Sequence, residues 1–334
     1  MISNRILAIS GALMFACLTT SGAGAAGSSA ADTGAGVQQT APPAKHNIKT
    51  VFIILMENHN WTGDGKLDIK GNAAAPYINN TLIPMSSYAN RFYNPPGNHP
   101  SLPNYLWLEA GTNFGILADG PPSQFAQTTT KHLVTQMTTA NVTWKAYLED
   151  IPGTVCPLVD TGPVDPDGDP LYAVRHEPFA YFDDVTNNQE KKSAYCIAHL
   201  RPYKELAGDL TNNTVPQYVW ITPNLCDDMH DNCDGNPIAN GDTWLSQNVP
   251  AILNSAAYKN GGALFVTWDE ADAGDGPIPM IVLSPFAKGG GYSNTIHYTH
   301  GSTLRTIQEI FSLTPLLRDA KKETDLSDLF SVFP

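Results

Sequence analysis

Two apolar runs in this chain end directly in polar dipeptides. Residues 51–56 run into Glu57-Asn58, and residues 263–268 run into Asp269-Glu270. Uninterrupted apolar runs of this length predict strands that are buried on both faces of a parallel sheet. In open α/β sheets, ligand-binding groups lie where such strands end. The pattern therefore predicts a site at one edge of a sheet.

Strand-like and helix-like patterns alternate along most of the chain. This rhythm predicts an α/β fold with a mostly parallel central sheet and helices on both faces. A stretch rich in Pro, Asp and Gly, residues 151–195, is predicted to form a long surface excursion over the site. The predicted strands are 49–56, 143–148, 217–222, 263–268 and 280–284, and the predicted helices are 101–110, 132–140, 243–258 and 302–313.

The N-terminal segment has the pattern of a secretory signal. Arg5 precedes a short apolar run, residues 6–18, and Ala23-Gly24-Ala25 follows as a small-residue cleavage site. We therefore expect a signal peptide over 1–25, a flexible spacer over 26–47 and one catalytic domain over 48–334. The apolar run is too short to span a membrane and no later one is long enough, so we expect a secreted or periplasmic protein without stable membrane insertion.

Composition narrows the possible partners. The 334 residues are 42% hydrophobic and 15% charged, which is typical of a packed globular protein. The net charge of −13 argues against nonspecific binding of nucleic acid or anionic lipid. It does not exclude a phosphate substrate, because a bound cation reverses the local field.

Cleavage of the signal would remove Cys17 and leave an even number of cysteines. In an exported protein such a set favours disulfides over free thiols. Of the three possible pairings we favour the one in which each pair brackets a loop. Zinc binding is the alternative use, but the chain has no close CxxC pair. The favoured disulfides are Cys156–Cys196 and Cys226–Cys233.

The acids at the two strand ends predict a divalent metal, because carboxylate and amide oxygens are hard ligands. The segment between them offers a nucleophile in Ser101, which lies near the start of a predicted helix. A serine hydroxyl needs a base, a helix N-terminus or a metal to react. The residues thus predict a metal-assisted hydrolase with a serine nucleophile. The alternative is that Ser101 only caps its helix and that the acids are caps or solvated loop residues.

Imidazoles occur in four segments that could serve such a site. His230 follows a predicted strand among several acids, and His176 adjoins Arg175. His99 precedes the proposed nucleophile, and His300 precedes the last helix. A neighbouring carboxylate would favour the protonated form of His230 and so suit it to general acid catalysis. Each histidine could instead be structural.

Six motifs occur in an order that resembles a known family. They are Glu57-Asn58, His99-Pro-Ser-Leu-Pro-Asn-Tyr105, Tyr172-x-x-Arg-His-x-Pro-Phe179, Thr222-Pro-Asn-Leu-Cys-Asp-Asp-x-His-Asp231, Thr267-Trp-Asp-Glu270 and His300-x-Ser-x-Leu-Arg-Thr-Ile-Gln-Glu309. Together they resemble the phosphoesterase family of bacterial acid phosphatases and phospholipases C, which has the alkaline-phosphatase-like superfold. The resemblance runs from about residue 48 to 315 and is greatest to secreted acid phosphatases.

The resemblance implies hydrolysis of small phosphate monoesters, phosphoinositide head groups among them, through a phosphoserine. It implies catalytic roles for Ser101, His176 and His230. The oxygen-rich metal set suits one calcium, magnesium or manganese ion better than zinc. Two alternatives stay open: a phosphodiesterase of the phospholipase C type, and an exported metal-binding module without turnover. The implied metal ligands are Glu57, Asn58, Ser101, Asp269 and Glu270, and the implied substrate contacts are Asn104, His99 and His300.

Overall fold

The computed structural model describes residues 46–233 and 235–334. The predicted signal peptide and almost all of the predicted spacer lie outside these residues. No helix in the described part of the chain carries an apolar stretch long enough to cross a bilayer. The strands are β1 Thr50–Met56, β2 Ser87–Ala89, β3 Phe92–Tyr93, β4 Trp144–Leu148, β5 Thr161–Val164, β6 Pro170–Tyr172, β7 Leu200–Pro202, β8 Tyr218–Thr222, β9 Gly262–Trp268, β10 Met280–Leu283, β11 Tyr292–Asn294 and β12 Tyr298–Thr299.

Eight strands form the central sheet, in the order β11-β2-β10-β9-β1-β8-β4-β7. Only β10 runs against its neighbours, so the sheet is mostly parallel, as predicted. Every residue of β1 and β9 is buried. Because successive side chains in a strand point to opposite faces, both faces of the sheet must be covered.

Helices flank the sheet and supply this cover. The longest, α8, carries a buried stripe that includes Ile238, Leu245 and Ile252. The helices are α1 Ile83–Met85, α2 Ser101–Ala110, α3 Pro122–Phe125, α4 Leu133–Thr139, α5 Asp183–Thr186, α6 Ala194–His199, α7 Leu206–Asn212, α8 Pro237–Asn254, α9 Ala256–Lys259 and α10 His300–Ile310. Single turns of other helix types lie at Ile78–Leu82, Val174–His176, Phe179–Tyr181, Tyr203–Glu205, Arg318–Lys321 and Ser327–Leu329.

Two predicted helices begin at the wrong residue. The helix α8 starts at Pro237, not near 243, because the Asn236 side chain accepts a hydrogen bond from the backbone of Ala239 and caps it. The helix α10 starts at His300, not 302, because the Thr299 and Ser302 side chains form a reciprocal capping box. The five predicted strands all exist, with bounds within two residues of the prediction.

The prediction of a surface excursion over 151–195 is wrong for its second half. Val159 and Val164 are 60% exposed, but Phe179, Tyr181 and Phe182 are fully buried. Charge and turn residues in the first half obscured an aromatic cluster that belongs to the core. Phe179 packs against Trp144 of β4 and Trp220 of β8, so this part of the segment covers the sheet.

Both predicted disulfides are confirmed. Cys156 bonds to Cys196 and Cys226 bonds to Cys233, with 5.5 Å between the Cα atoms of each pair. The first joins the start of the 151–195 segment to α6. The second closes a short loop that follows β8, at the same edge of the sheet as the predicted site.

Candidate active site

The ends of β1 and β9 bring the two predicted acidic dipeptides together. The strands are adjacent and parallel, and Met56 lies opposite Trp268 in their register. The backbone nitrogen of Asp269 donates to the carbonyl of Met56 at 3.0 Å, and that of Asn58 donates to Asp269 Oδ1 at 3.1 Å. Both pairs of polar side chains therefore leave the sheet at the same point.

The helix α2 places Ser101 against the end of β1. The Ser101 hydroxyl donates to Glu57 Oε2 at 2.9 Å, and the Tyr105 hydroxyl donates to Glu57 Oε1. Residues four apart lie on the same face of a helix, so both hydroxyls reach the same carboxylate. Gly111 follows the last residue of the helix, and its positive φ of 68° suits a glycine and lets the chain turn sharply away from the helix axis. The predicted nucleophile thus lies at a buried helix N-terminus beside the predicted metal ligands.

Carboxylates crowd this buried space. Glu57, Asp228 and Asp269 have no exposed surface. Burial, followed by the charges of Asp269 and Asp228, raises the pKa of Glu57 well above its ordinary value. Burial likewise raises the pKa of Asp228 and Asp269. Such a cluster is stable in its ionised form only with a compensating cation.

Two unpartnered atoms indicate where a cation fits. Asn58 Oδ1 and Asp269 Oδ2 are buried, and neither makes a hydrogen bond to any residue that the structure describes. Buried polar atoms are almost always satisfied, so such a pair indicates a ligand or an ion. Both are hard oxygen donors close to Glu57 and Ser101, and a divalent cation that prefers oxygen fits them. The structure thus brings the side chains of Glu57, Ser101 and Asp269 together and joins the backbone of Asn58 to Asp269.

The fifth predicted ligand, Glu270, is engaged elsewhere. Its Oε2 accepts a hydrogen bond from Asn104 Nδ2 at 3.0 Å and lies 2.7 Å from His99 Nδ1. The other ring nitrogen of His99 lies 3.1 Å from Asp275. Burial and the charge of Asp269 raise the pKa of Glu270 to about 9. In this arrangement His99 and Asn104 orient Glu270, and the prediction that they contact substrate stays a prediction.

His176 and His230 face the same carboxylate. His176 Nε2 lies 3.5 Å from Glu57 Oε2 and has no hydrogen-bond partner in the described part of the chain, while Nδ1 lies 3.3 Å from Asp228 Oδ2. Burial lowers the pKa of His176 well below its ordinary value. His230 Nδ1 lies 2.6 Å from Asp231 Oδ1, and its side chain is 27% exposed. His176 is therefore the inner imidazole of the site and His230 the outer one.

These two histidines also form a ligand triad with Glu57. In the part of the chain that the structure describes, the ionisable side chains whose ligand atoms lie within 4.8 Å of one another are Glu57, His176 and His230. The triad differs from the predicted metal set, in which both histidines serve the phosphate. This arrangement would suit either an anion bound between the two imidazoles or a cation bound by all three side chains.

His300 lies behind the site. Its Nε2 pairs with the backbone carbonyl of Asp269, and its Nδ1 is buried and has no partner within residues 46–233 and 235–334. Burial lowers the pKa of His300 to about 4, so the ring is neutral and donates through Nε2. It fixes the backbone of Asp269 from the first turn of α10. Its predicted contact with substrate stays a prediction.

Several residues at the site were not among the predicted ones. Tyr105 and Asp228 contact the predicted residues directly, and Asp119 accepts a hydrogen bond from the backbone nitrogen of Leu102 at 3.0 Å. Tyr105 and Asp228 occur inside the quoted motifs, and helical spacing from Ser101 could have identified Tyr105. Nothing in the sequence around Asp119 indicates its position.

The fold, with an acid-lined serine at the carboxyl edge of its sheet, is similar to that of solved proteins of the alkaline-phosphatase-like class. Solved structures with this fold include an alkaline phosphatase superfamily protein of Vibrio parahaemolyticus, which is 11% identical with a TM-score of 0.50 over 84% of this chain and 72% of its own. A Bacteroides thetaiotaomicron protein of glycosaminoglycan metabolism is 12% identical with a TM-score of 0.54 over 87% and 79%. These likenesses establish the fold alone.

The chain belongs to the Phosphoesterase family, whose model matches residues 72–314. It is 28% identical to the phosphatidylinositol-3-phosphatase of Mycobacterium tuberculosis over 79% of this chain and 77% of that protein. It is 26% identical to an acid phosphatase of Aspergillus fumigatus over 66% of this chain. The alignment spans only 47% of that fungal enzyme. The family and these relatives support a phosphatase or phosphoesterase function.

Proposed function

We propose that this protein is an exported, metal-dependent phosphatase that hydrolyses phosphate monoesters through a phosphoserine on Ser101. The observation that carries the proposal is the position of the Ser101 hydroxyl. It lies at the N-terminus of α2 and donates to Glu57 inside a cluster of buried carboxylates. A helix N-terminus favours an anion at that point, which suits both an alkoxide and a phosphate.

The metal would be held by Glu57, Asn58, Asp269 and the Ser101 oxygen, with Glu270 close by. The oxygens of Asn58 and Asp269, which lack partners among the described residues, support this set, and the triad of Glu57, His176 and His230 is the alternative set that contains imidazoles. When bound, a divalent ion neutralises the carboxylates and lowers the pKa of the serine hydroxyl. Calcium, magnesium and manganese suit these ligands better than zinc.

The side chains of the site have separate roles in two successive displacements at phosphorus. Ser101 releases its hydroxyl proton to solvent, its oxygen forms a bond to phosphorus as the bond to the alcohol oxygen breaks, and the alcohol leaves with a proton. His230 is positioned to supply that proton, because Asp231 engages one ring nitrogen and the ring reaches solvent. His176, oriented by Asp228, borders the phosphate position. A water molecule then attacks the phosphoserine and releases phosphate and free serine.

Substrate and location follow from separate observations. The Mycobacterium tuberculosis relative is named for a phosphoinositide and the fungal relatives for acid phosphatase activity, so small monoesters and phosphoinositide head groups are the proposed substrates. The signal-like N-terminus and two disulfides support export to the periplasm or medium.

The test compares the wild type with Ser101→Ala on p-nitrophenyl phosphate and on the bis-p-nitrophenyl ester, with and without a chelator. We expect turnover of the monoester, its loss on chelation, and less than about a tenth of it in Ser101→Ala, because the covalent route is removed. Faster turnover of the diester would favour the phosphodiesterase. No turnover of either ester in metal-replete protein would favour the binding module, and two firmly bound zinc ions would refute the metal set.

A further inference from the structure

A cavity of about 440 Å³ opens beside the candidate active site. Its lining includes Asp119, Val159, Asp160, Val174 and Arg175. None of these residues is a proposed nucleophile, metal ligand or catalytic histidine, and Asp119 and Arg175 come from different segments of the chain. The cavity is large enough for a six-membered ring with its substituents.

Two residues that line the cavity are linked directly to the segments that carry the proposed catalytic residues. Asp119 Oδ1 accepts the backbone hydrogen bond of Leu102, the residue after the proposed nucleophile. Arg175 directly precedes His176 in the turn Val174–His176. The cavity is thus joined to the segment of Ser101 by one hydrogen bond and to His176 by one peptide bond.

The guanidinium of Arg175 has unused hydrogen-bonding capacity. Its one ion pair within the described residues is long, with 3.5 Å between Nε and Asp119 Oδ2. The side chain is 22% exposed, and an arginine carries five N–H donors. The remaining donors have no acceptor among the residues that the structure describes and can bind oxygen atoms of a ligand in the cavity.

The two carboxylates supply acceptors on the other side. Asp160 Oδ1 accepts from the backbone of Val174 at 2.8 Å, which fixes the side chain and leaves its second oxygen available. Asp119 is fixed in the same way by Leu102. Two carboxylates against one guanidinium disfavour an anionic group inside the cavity, so the phosphodiester of an inositol lipid would have to lie outside it. Hydroxyl groups suit it, because each can donate to a carboxylate and accept from an arginine.

We propose that this cavity binds the polyhydroxylated leaving group of the substrate, with Arg175, Asp119 and Asp160 as its contacts. The inference rests on the proposed function and narrows it to monoesters of polyols, whether free sugar phosphates or the head group of a phosphoinositide. Arg175 then acts as a specificity residue, since it favours esters that carry hydroxyl groups over plain alkyl esters.

The experiment measures kcat/KM for three monoesters: glucose 6-phosphate, n-propyl phosphate and a short-chain phosphatidylinositol monophosphate below its micelle concentration. The first two leave as primary alcohols, so they differ mainly in their hydroxyl groups. The variants are Arg175→Gln and Asp160→Asn, and Asn keeps an acceptor for the backbone of Val174. Lys259→Gln is the control, because it removes one exposed positive charge at the opposite end of β9.

We expect Arg175→Gln to lower kcat/KM for the polyol esters roughly tenfold more than for propyl phosphate, chiefly through KM. Asp160→Asn should shift the same ratio in the same direction, and Lys259→Gln should leave it within about twofold, since exposed charges far from the site are screened. A shift with both polyol esters assigns the cavity to polyols in general. A shift with the lipid alone assigns it to the inositol head group.

Equal losses on all three esters in both variants would overturn the inference, because the cavity would then have no role in selectivity. An unchanged ratio would overturn it as well. If the wild type hydrolyses propyl phosphate, the proposed phosphatase function stands under both of these outcomes. A metal-replete wild type that hydrolyses none of the three esters refutes the proposed function itself.

Discussion

His132 offers a test of the architecture that is independent of the catalytic proposal. The imidazole is fully buried, with Nδ1 2.7 Å from Glu109 of α2 and Nε2 3.0 Å from Asp184 of α5. It also stacks on Phe182, with 3.9 Å between the ring centroids. Burial opposes a charge on the ring, but the bonds to Asp184 and Glu109 outweigh it and raise the pKa to about 9. His132 is thus a cation that fixes the helix of Ser101.

The size of the effect follows from that pKa. Each tenfold change in proton affinity corresponds to about 1.4 kcal/mol, so a rise from 6.5 to about 9 corresponds to about 3 kcal/mol. A histidine whose pKa is higher in the folded state contributes this stability fully below about pH 6.5, and the contribution is lost as the pH rises through about 9. We expect His132→Gln to show a destabilisation that shrinks by about 3 kcal/mol between pH 6 and 9.5.

The assay is urea unfolding of both proteins at the two pH values, with the disulfides intact and tryptophan fluorescence as the signal. Lost stacking on Phe182 adds a cost that does not depend on pH, so the informative quantity is the change between the two conditions. His199→Gln is the control, because burial lowers the pKa of His199 and its effect should change with pH in the opposite sense. An equal loss at both pH values in His132→Gln would refute the ion-pair argument.

Three further predictions concern the site. Tyr105→Phe should lower kcat on p-nitrophenyl phosphate roughly tenfold, because Glu57 loses a buried hydroxyl donor; an unaltered kcat would show that Glu57 is oriented without it. His230→Asn should reduce kcat far more for an alkyl phosphate than for p-nitrophenyl phosphate, whereas equal losses would remove it from leaving-group protonation. Replacing Cys226 and Cys233 by serine should lower the free energy of unfolding by about 2–3 kcal/mol and reduce activity as well; full activity would show that the loop orders itself.

The sequence predicts the central strands and the position of the site well, because the signals for both lie within short segments of the chain. Strands β1 and β9 are buried on both faces, so their apolar runs are uninterrupted and their ends are marked by the first polar residues. Once both are placed in a parallel sheet, Glu57 and Asp269 must emerge at the same edge. The disulfide pairing is predictable for a similar reason, since each pair brackets one segment of chain.

Other features depend on contacts between segments that are far apart in sequence. The Arg175–Asp119 pair joins residues 56 positions apart, and nothing near either residue indicates it. The engagement of Glu270 by Asn104 joins the end of β9 to α2 in the same way. A motif shows which residue types are present, but it does not show which protein group already occupies their hydrogen-bonding atoms.

The loop between Cys226 and Cys233 shows how these long-range constraints hold the outer half of the site. The backbone nitrogen of Glu57 donates to the carbonyl of Asp228 at 2.8 Å, which ties the loop to the end of β1. Met229 adopts a φ of 83°, a left-handed conformation that is unfavourable for its side chain. Its buried side chain lies against Gly241 of α8, where any larger residue would collide with it. Because His230 directly follows this strained residue, its position depends on the disulfide, on the absence of a side chain at Gly241 and on the end of β1 together.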